Sequence, residues 1–408
     1  MAKLNGYTDP EDEKYFKIGF QKNYGNWLIY GGMFLGSPVL PITFLFCATT
    51  LIYFMFGTAI KFYKTDLVTT IENIHFLIFV AVEIGAMIVF LRKRGLIVSI
   101  FTTIGKGFFD YGNTLYDECL ELKRDSYHKT DSMKRLIHHT FVTVVMSACI
   151  AITICRPVII MMFPKENEGS PDDGMVKVAL LPAWTPFDKS RWYTTVILWF
   201  IEYAVSWTTP GIVFGATFFV LFALEELGIQ LLILKKGLNN VIQRAERLEQ
   251  TMEENIRLCL KYSIRHHQVL FEFRDLLNEV VSLPGLGLFV SFSIMLCMSG
   301  FIFTLNEVPL VSKFVFGLFL LSECAMLFAL CYFGEKIIEL SEEIGDALYN
   351  SDWINYSQVM KNYMLIIQIR SRCTMRLSLM GFMDVSRNTF SNISSTSYSY
   401  LNLMNEFN

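Results

Sequence analysis

The chain has 408 residues, 53% hydrophobic and only 18% charged, with 36 Phe among them. A soluble chain of this length would divide into domains with far more charge on their surfaces, so a soluble globular protein is excluded. The net charge of −3 carries no indication of nucleic acid, because the charges are sorted by segment rather than clustered in a basic patch.

Met1 to Tyr24 is polar and shows no short apolar region ending in small residues, so no secretory signal is expected and the spans themselves should direct insertion. Apolar blocks of bilayer-spanning length, about 20 residues, then follow in order. The first is Val39–Ile60, with the breakers Pro38 and Pro41 at its start, and the second is Ile71–Leu91, closed by Arg92, Lys93 and Arg94. The third runs from Phe141 to Phe163 and stops at Pro164. Next come a long stretch, Tyr193–Leu234, then Leu283–Phe303, Val311–Phe333 and a more polar last block, Val385–Met404. No internal repeat or low-complexity segment interrupts them.

As one helix the long stretch would measure about 60 Å, twice the hydrocarbon thickness. Pro210-Gly211 offers a turn between two spans, but a turn among Thr208, Thr209, Ile212 and Val213 would leave backbone unpaired in lipid. One kinked helix, leaving the membrane through Glu225, Glu226, Lys235 and Lys236, is the expectation.

Lys and Arg give the orientation. Segments 1–38, 92–137, 235–275 and 334–376 hold 26 of them, while 61–70, 164–191 and 305–313 hold 7. The positive-inside rule then predicts an all-α membrane protein of seven transmembrane helices, with the N-terminus cytoplasmic, the C-terminus extracellular and helical intracellular extensions. None of the nine Cys falls in a proposed outer loop, so no extracellular disulfide is expected. Neither the sequon at Asn355 nor that at Asn392 falls in an outer loop. A G-protein-coupled receptor is disfavoured by the inverted orientation, the missing Asp-Arg-Tyr and the missing Asn-Pro-x-x-Tyr.

The cytoplasmic segments carry apolar residues three and four apart (Leu238, Val241, Ile242, Ala245 and Leu248; later Ile337, Ile338, Ile344 and Leu348). They read as span extensions packed into an intracellular bundle, and such a bundle could also join subunits. Charges inside spans need partners. Glu83, Glu202, Glu323 and Arg156 are of this kind, and an internal ion pair of Arg156 with Glu83 or Glu323 is the expectation, with His75 read as interfacial. No metal-ligand spacing, phosphate loop or nucleophile with a base appears, so neither an enzyme nor a cofactor is expected.

A ligand arriving from outside would meet the outer halves of the spans. Their lining is Phe76, Phe79, Val80, Ile150, Ile154, Ile159, Tyr203, Ser206, Trp207, Phe316 and Phe319, which suits a small lipophilic molecule. The last block carries Asn388, Ser391, Asn392, Ser395, Ser399, Asn402 and Asn405 on one helical face. Two causes fit that stripe: close helix packing through small polar residues, or a wet surface along an ion path. It lacks charge, so as a pore it would discriminate poorly among small cations.

Cys331 to Ser341, continuing through Ala347, Tyr349, Asp352 and Trp353, resembles the end of the sixth span of insect odorant receptors. Thr389-Phe390 and Ser397 to Leu401 resemble that family's final helix, and Leu181, Pro182, Trp184, Pro186, Phe187 and Asp188 its second outer loop. Arg376-Leu-Ser-Leu departs from the proline and apolar run usual before the glycine matched by Gly381. The endings usual in the sister gustatory receptors are missing. The resemblance implies an odour-specific subunit of a tetrameric, ligand-gated, non-selective cation channel, assembled with a shared co-receptor in the plasma membrane of a sensory dendrite. It implies that Asn392, Ser395, Ser399 and Asn402 line the pore and that a volatile ligand binds among spans two, three, four and six. The chain then divides into a cytoplasmic segment (1–38), spans one to four with the pocket region (39–234), spans five and six with the anchor helices (235–376) and the pore-lining helix (377–408).

Overall fold

The structure, a computed structural model, describes residues 10–22, 25–33, 39–62, 67–111, 117–150, 175–176, 183–184, 192–305, 308 and 310–406. The described residues are overwhelmingly helical: α1 Pro10–Lys22, α2 Asn26–Tyr30, α3 Val39–Phe62, α4 Leu67–Arg92, α5 Arg94–Lys106, α6 Asp117–Ile150, α7 Trp192–Asn239, α8 Val241–Glu246, α9 Met252–Thr304, α10 Leu310–Tyr349, α11 Ser357–Ser371 and α12 Arg387–Glu406. Two antiparallel hairpins accompany them: β1 Met175–Val176 with β2 Ala183–Trp184, and β3 Ser378–Leu379 with β4 Met383–Asp384.

Among the described residues, five helices are long and apolar enough to cross a membrane: Val39–Lys61, Val68–Arg92, Val196–Asn239, Met252–Thr304 and Lys313–Tyr349. The third expected span lies largely outside the described residues, which end in that region at Ile150. Over their apolar stretches these helices expose mainly apolar side chains. On α3, Ile42, Phe46, Tyr53, Phe56 and Ile60 form one exposed stripe, the pattern of a helix solvated by lipid.

The stretch from Tyr193 to Leu234 is one helix with Pro210 inside it. Its 48 residues extend about 72 Å. It is the central post of the bundle, and its apolar stretch is almost wholly buried. Pro210-Gly211 makes room for a neighbour rather than a turn. A Cβ on Gly31, just after α2, would strike the Gly211 carbonyl carbon at 2.6 Å, and one on Gly215 would meet the backbone of Trp27 and Leu28 at 3.1 Å.

The polar N-terminal segment is also ordered into the bundle. α1 lies against α5 through a glycine contact in which a Cβ on Gly19 would strike the Phe101 carbonyl oxygen and one on Gly105 that of Tyr15. Phe16 and Phe20 bury themselves edge-on against Phe101. At this end of the bundle Glu226 of α7, fully buried, accepts Lys134 of α6 at 2.9 Å and Lys22 of α1 at 3.0 Å.

α9 has 53 residues and extends about 80 Å, so its charged first half projects beyond any 30 Å hydrocarbon layer. α11 packs against that projection. Arg370 lies 3.6 Å over the Phe271 ring, and burial, with Arg370 adding to it, draws the neighbouring His267 down to about 4, so this imidazole is neutral at physiological pH.

The residues before the last helix, where Arg376-Leu-Ser-Leu departs from the family pattern, form the tight β3–β4 hairpin. Met380 (φ 53°) and Gly381 (φ 75°) both sit in the left-handed region, and the Phe382 N–H closes the turn on the Leu379 carbonyl at 3.0 Å. Arg376 pairs with Asp384 at 3.0 Å across the hairpin, and Asn278 and Ser282 of α9 bond the backbone of Ser378 and Met380.

Candidate functional site

A cavity of about 110 Å³ opens among α4, α7, α9 and α10. Each helix presents one face at helical spacing: Phe79, Val82, Glu83, Ala86 and Phe90 from α4; Ile212, Val213, Ala216, Thr217 and Val220 from α7. α9 contributes Val281 through Met295 at the same period, and α10 contributes Phe319, Ser322, Glu323, Met326 and Leu330. Leu379 of β3 and Val385, just before α12, close the wall, so the cavity touches the segment that leads into the last helix.

Polar groups in this wall are few and mostly satisfied. Ser291 donates to the Leu288 carbonyl at 2.8 Å, Ser322 to that of Phe319 at 2.9 Å, and Thr217 faces the Met326 sulfur at 3.5 Å. Glu323 lies 3.4 Å from both His75 Nε2 and the Ser299 hydroxyl. Glu83 Oε2 accepts the Thr209 hydroxyl at 2.9 Å, while its Oε1 has no hydrogen-bond partner among the described residues.

Apart from Val80, which is buried in the core, the expected pocket residues with described side chains fall into three sets. Phe79 and Phe319 line the cavity. Phe76 and Phe316 join them in an aromatic cluster beside it, with Phe76 5.5 Å from Phe319 and 6.0 Å from Phe316 between ring centroids. Tyr203, Ser206 and Trp207 lie further toward the start of α7 and outside the cavity wall, Tyr203 and Trp207 with ring centroids 5.8 Å apart. The helix of Ile150 is described but its side chain is not, and Ile154, Arg156 and Ile159 lie outside the described residues. His75, read as interfacial, is instead 1% exposed, because the carboxyl of Glu323 and the rings of Phe76, Phe316 and Phe319 enclose it.

Sequence reasoning missed the α9 wall and the Leu379 and Val385 contacts, since it looked only to the outer halves of the spans. The Pro284-Gly285 step was a readable signal: a Cβ on Gly285 would meet the Leu379 side chain at 2.7 Å.

The last helix is divided lengthwise. Ile393 and Ser397 are buried and Phe390, Leu401 and Met404 half-buried, a row spaced three and four apart. The Ser397 hydroxyl donates to the Ser293 carbonyl of α9 at 2.8 Å, and Leu401 lies against Gly300. Asn392, Ser395, Ser399 and Asn402 are all exposed on the other side, flanked by exposed Tyr398 and Tyr400.

The start of this helix is clamped by the end of α10. Ser386 caps it, receiving the Thr389 N–H at 3.3 Å. The Arg387 N–H donates to Glu335 at 2.9 Å and its guanidinium pairs with Glu339 at 2.9 Å. A Cβ on Gly334 would overlap the Val385 carbonyl oxygen. The residues from Cys331 to Ser341 thus hold the last helix, and Ser341 accepts the Met375 N–H at 2.9 Å.

Comparison with known proteins agrees with this architecture. The family described as 7tm Odorant receptor matches residues 66–398. Odorant receptor 85f of Drosophila melanogaster is 31% identical over 103 residues, 25% of this chain and 26% of that protein. Odorant receptor 67a of the same fly is 29% identical over 168 residues, 41% of this chain and 40% of that one. Odorant receptor Or2 of Anopheles gambiae is 27% identical over 154 residues, 38% of this chain and 39% of that one. The matched segments therefore span less than half of these relatives. The olfactory receptor OR5 of Machilis hrabei, solved in complex with eugenol, shares the fold with a TM-score of 0.77 at 12% identity, covering 97% of this chain and 98% of that one. The match to residues 66–398 spans most of the chain, and the chain belongs to the 7tm odorant receptor family.

Proposed function

We propose that this protein is the odorant-sensing subunit of a heteromeric, non-selective cation channel. A small volatile ligand occupies the cavity among α4, α7, α9 and α10, and the exposed face of α12 lines part of a pore shared with a co-receptor. The observation that carries this reading is the division of α12. One face is packed on α9, and the free face carries Asn392, Ser395, Ser399 and Asn402. A helix turned toward lipid exposes apolar side chains, as α3 does; a free face of amides and hydroxyls suits water and ions.

Leu379 and Val385 link the two functions, since both line the cavity and flank the path into α12. A ligand that fits the cavity better in one arrangement of that hairpin than in another would shift the channel toward it. The receptor of the same fold solved with eugenol supports a small-molecule ligand. The orientation in this reading is N-terminus cytoplasmic and C-terminus extracellular, in the plasma membrane of a sensory dendrite.

Co-expression with an insect odorant co-receptor should give volatile-evoked cation current, and this chain alone little. Replacing Asn402 and Ser399 together by Leu should reduce that current severalfold. Unchanged current would remove α12 from the pore, and responses abolished only by disrupting G-protein signalling would favour a metabotropic receptor.

A further inference from the structure

The polar groups of the cavity wall are accounted for with one exception. The hydroxyls of Ser291 and Ser322 are turned back onto their own helices, and Glu323 is held by His75 and Ser299. Glu83, 4% exposed, keeps one carboxyl oxygen bonded to Thr209 and leaves Oε1 without a hydrogen-bond partner among the described residues. A buried acid inside a membrane span is costly, and a half-satisfied one more so. An apolar residue at this position would fill the same space without that cost. The unmet oxygen, in a wall that is mostly apolar and whose other polar side chains are already engaged, is therefore a polar point awaiting a guest.

We infer that Glu83 is a specificity-determining residue, selecting small alcohols over hydrocarbons of the same shape. The inference rests on the odorant-sensing reading above. A hydroxyl both donates and accepts, so it can satisfy Oε1 whether the carboxyl presents a lone pair or a proton. A hydrocarbon leaves that oxygen unsatisfied and gains only apolar contact. Size limits the guest as well: a dry cavity that takes benzene is about 150 Å³, so about 110 Å³ suits a molecule of about five heavy atoms.

The test compares 1-butanol with pentane on the chain co-expressed with co-receptor, reading half-maximal concentrations of evoked current. The unaltered protein should respond to 1-butanol at a concentration about tenfold lower than to pentane. Glu83→Leu should erase that ratio, while Glu83→Gln, whose amide also donates and accepts, should keep it. Surface labelling confirms that each variant reaches the membrane, and the ratio in the unaltered protein is informative even if a variant does not. Equal sensitivity to the two molecules in the unaltered protein, or a ratio that survives Glu83→Leu, overturns the assignment. Robust currents to other volatiles without the alcohol preference would overturn it and leave odorant sensing intact. Absence of current to every volatile tested would overturn both.

Discussion

Glu226 illustrates what a single side chain does in this bundle. It is fully buried and takes two ammonium groups, Lys134 at 1% exposure and Lys22 at 26%, from helices far apart in the chain. Removing one member of a buried pair leaves an uncompensated charge, at a cost of about 3–5 kcal/mol. Glu226→Gln should therefore destabilise the purified protein by about that amount. Lys22→Met, at the partly exposed position, should cost distinctly less, and thermal unfolding in detergent checks the order. Equal losses would mean that burial does not govern this triad. The sequence marked Glu83, Glu202 and Glu323 as charges in need of company, and Glu226 only as a point where the helix leaves the membrane. Glu323 turned out to face His75 and Ser299, residues 248 and 24 positions away from it, and such pairings depend on helix rotation, which periodicity leaves open.

At the scale of elements, length and hydropathy were sufficient to read α7 as one helix, because a turn at Pro210-Gly211 would strand backbone groups in lipid. What they did not reveal is the reason for the glycine, the close approach of α2. The N-terminal segment read only as polar and cytoplasmic, yet α1 is ordered there by Gly19, Gly105 and a few Phe contacts too sparse to show as a periodic stripe. The family motif at the end of α10 acquires a mechanical meaning in the clamp on α12. Gly334→Ala would place a methyl group on the Val385 carbonyl, and displacing that connection should cost about 1–3 kcal/mol. The expected result is a smaller evoked current from a chain that still reaches the surface. Current equal to that of the unaltered protein would mean that the junction between β4 and α12 tolerates the shift.

For the molecule as a whole, the stripe from Asn392 to Asn402 was legible in the sequence, but its choice between packing and pore was not. The feature that supports the pore reading is tertiary: Ile393, Ser397 and Leu401 occupy the packed side, which leaves the amides and hydroxyls uncovered. The pocket was legible only at its edge, through Phe79 and Phe319, because four helices and a hairpin must come together before the cavity exists. That convergence sets a volatile-sized space against the entry to the last helix. The most direct measurement of this account is cysteine substitution along α12 in the co-expressed channel, followed by a charged, water-soluble thiol reagent. Ser395→Cys and Asn402→Cys should be modified while the channel is held open by ligand, with a loss of current, whereas Ser397→Cys, facing α9, should be unaffected. Modification of Ser397→Cys with Ser395→Cys and Asn402→Cys silent would contradict the pore-lining face.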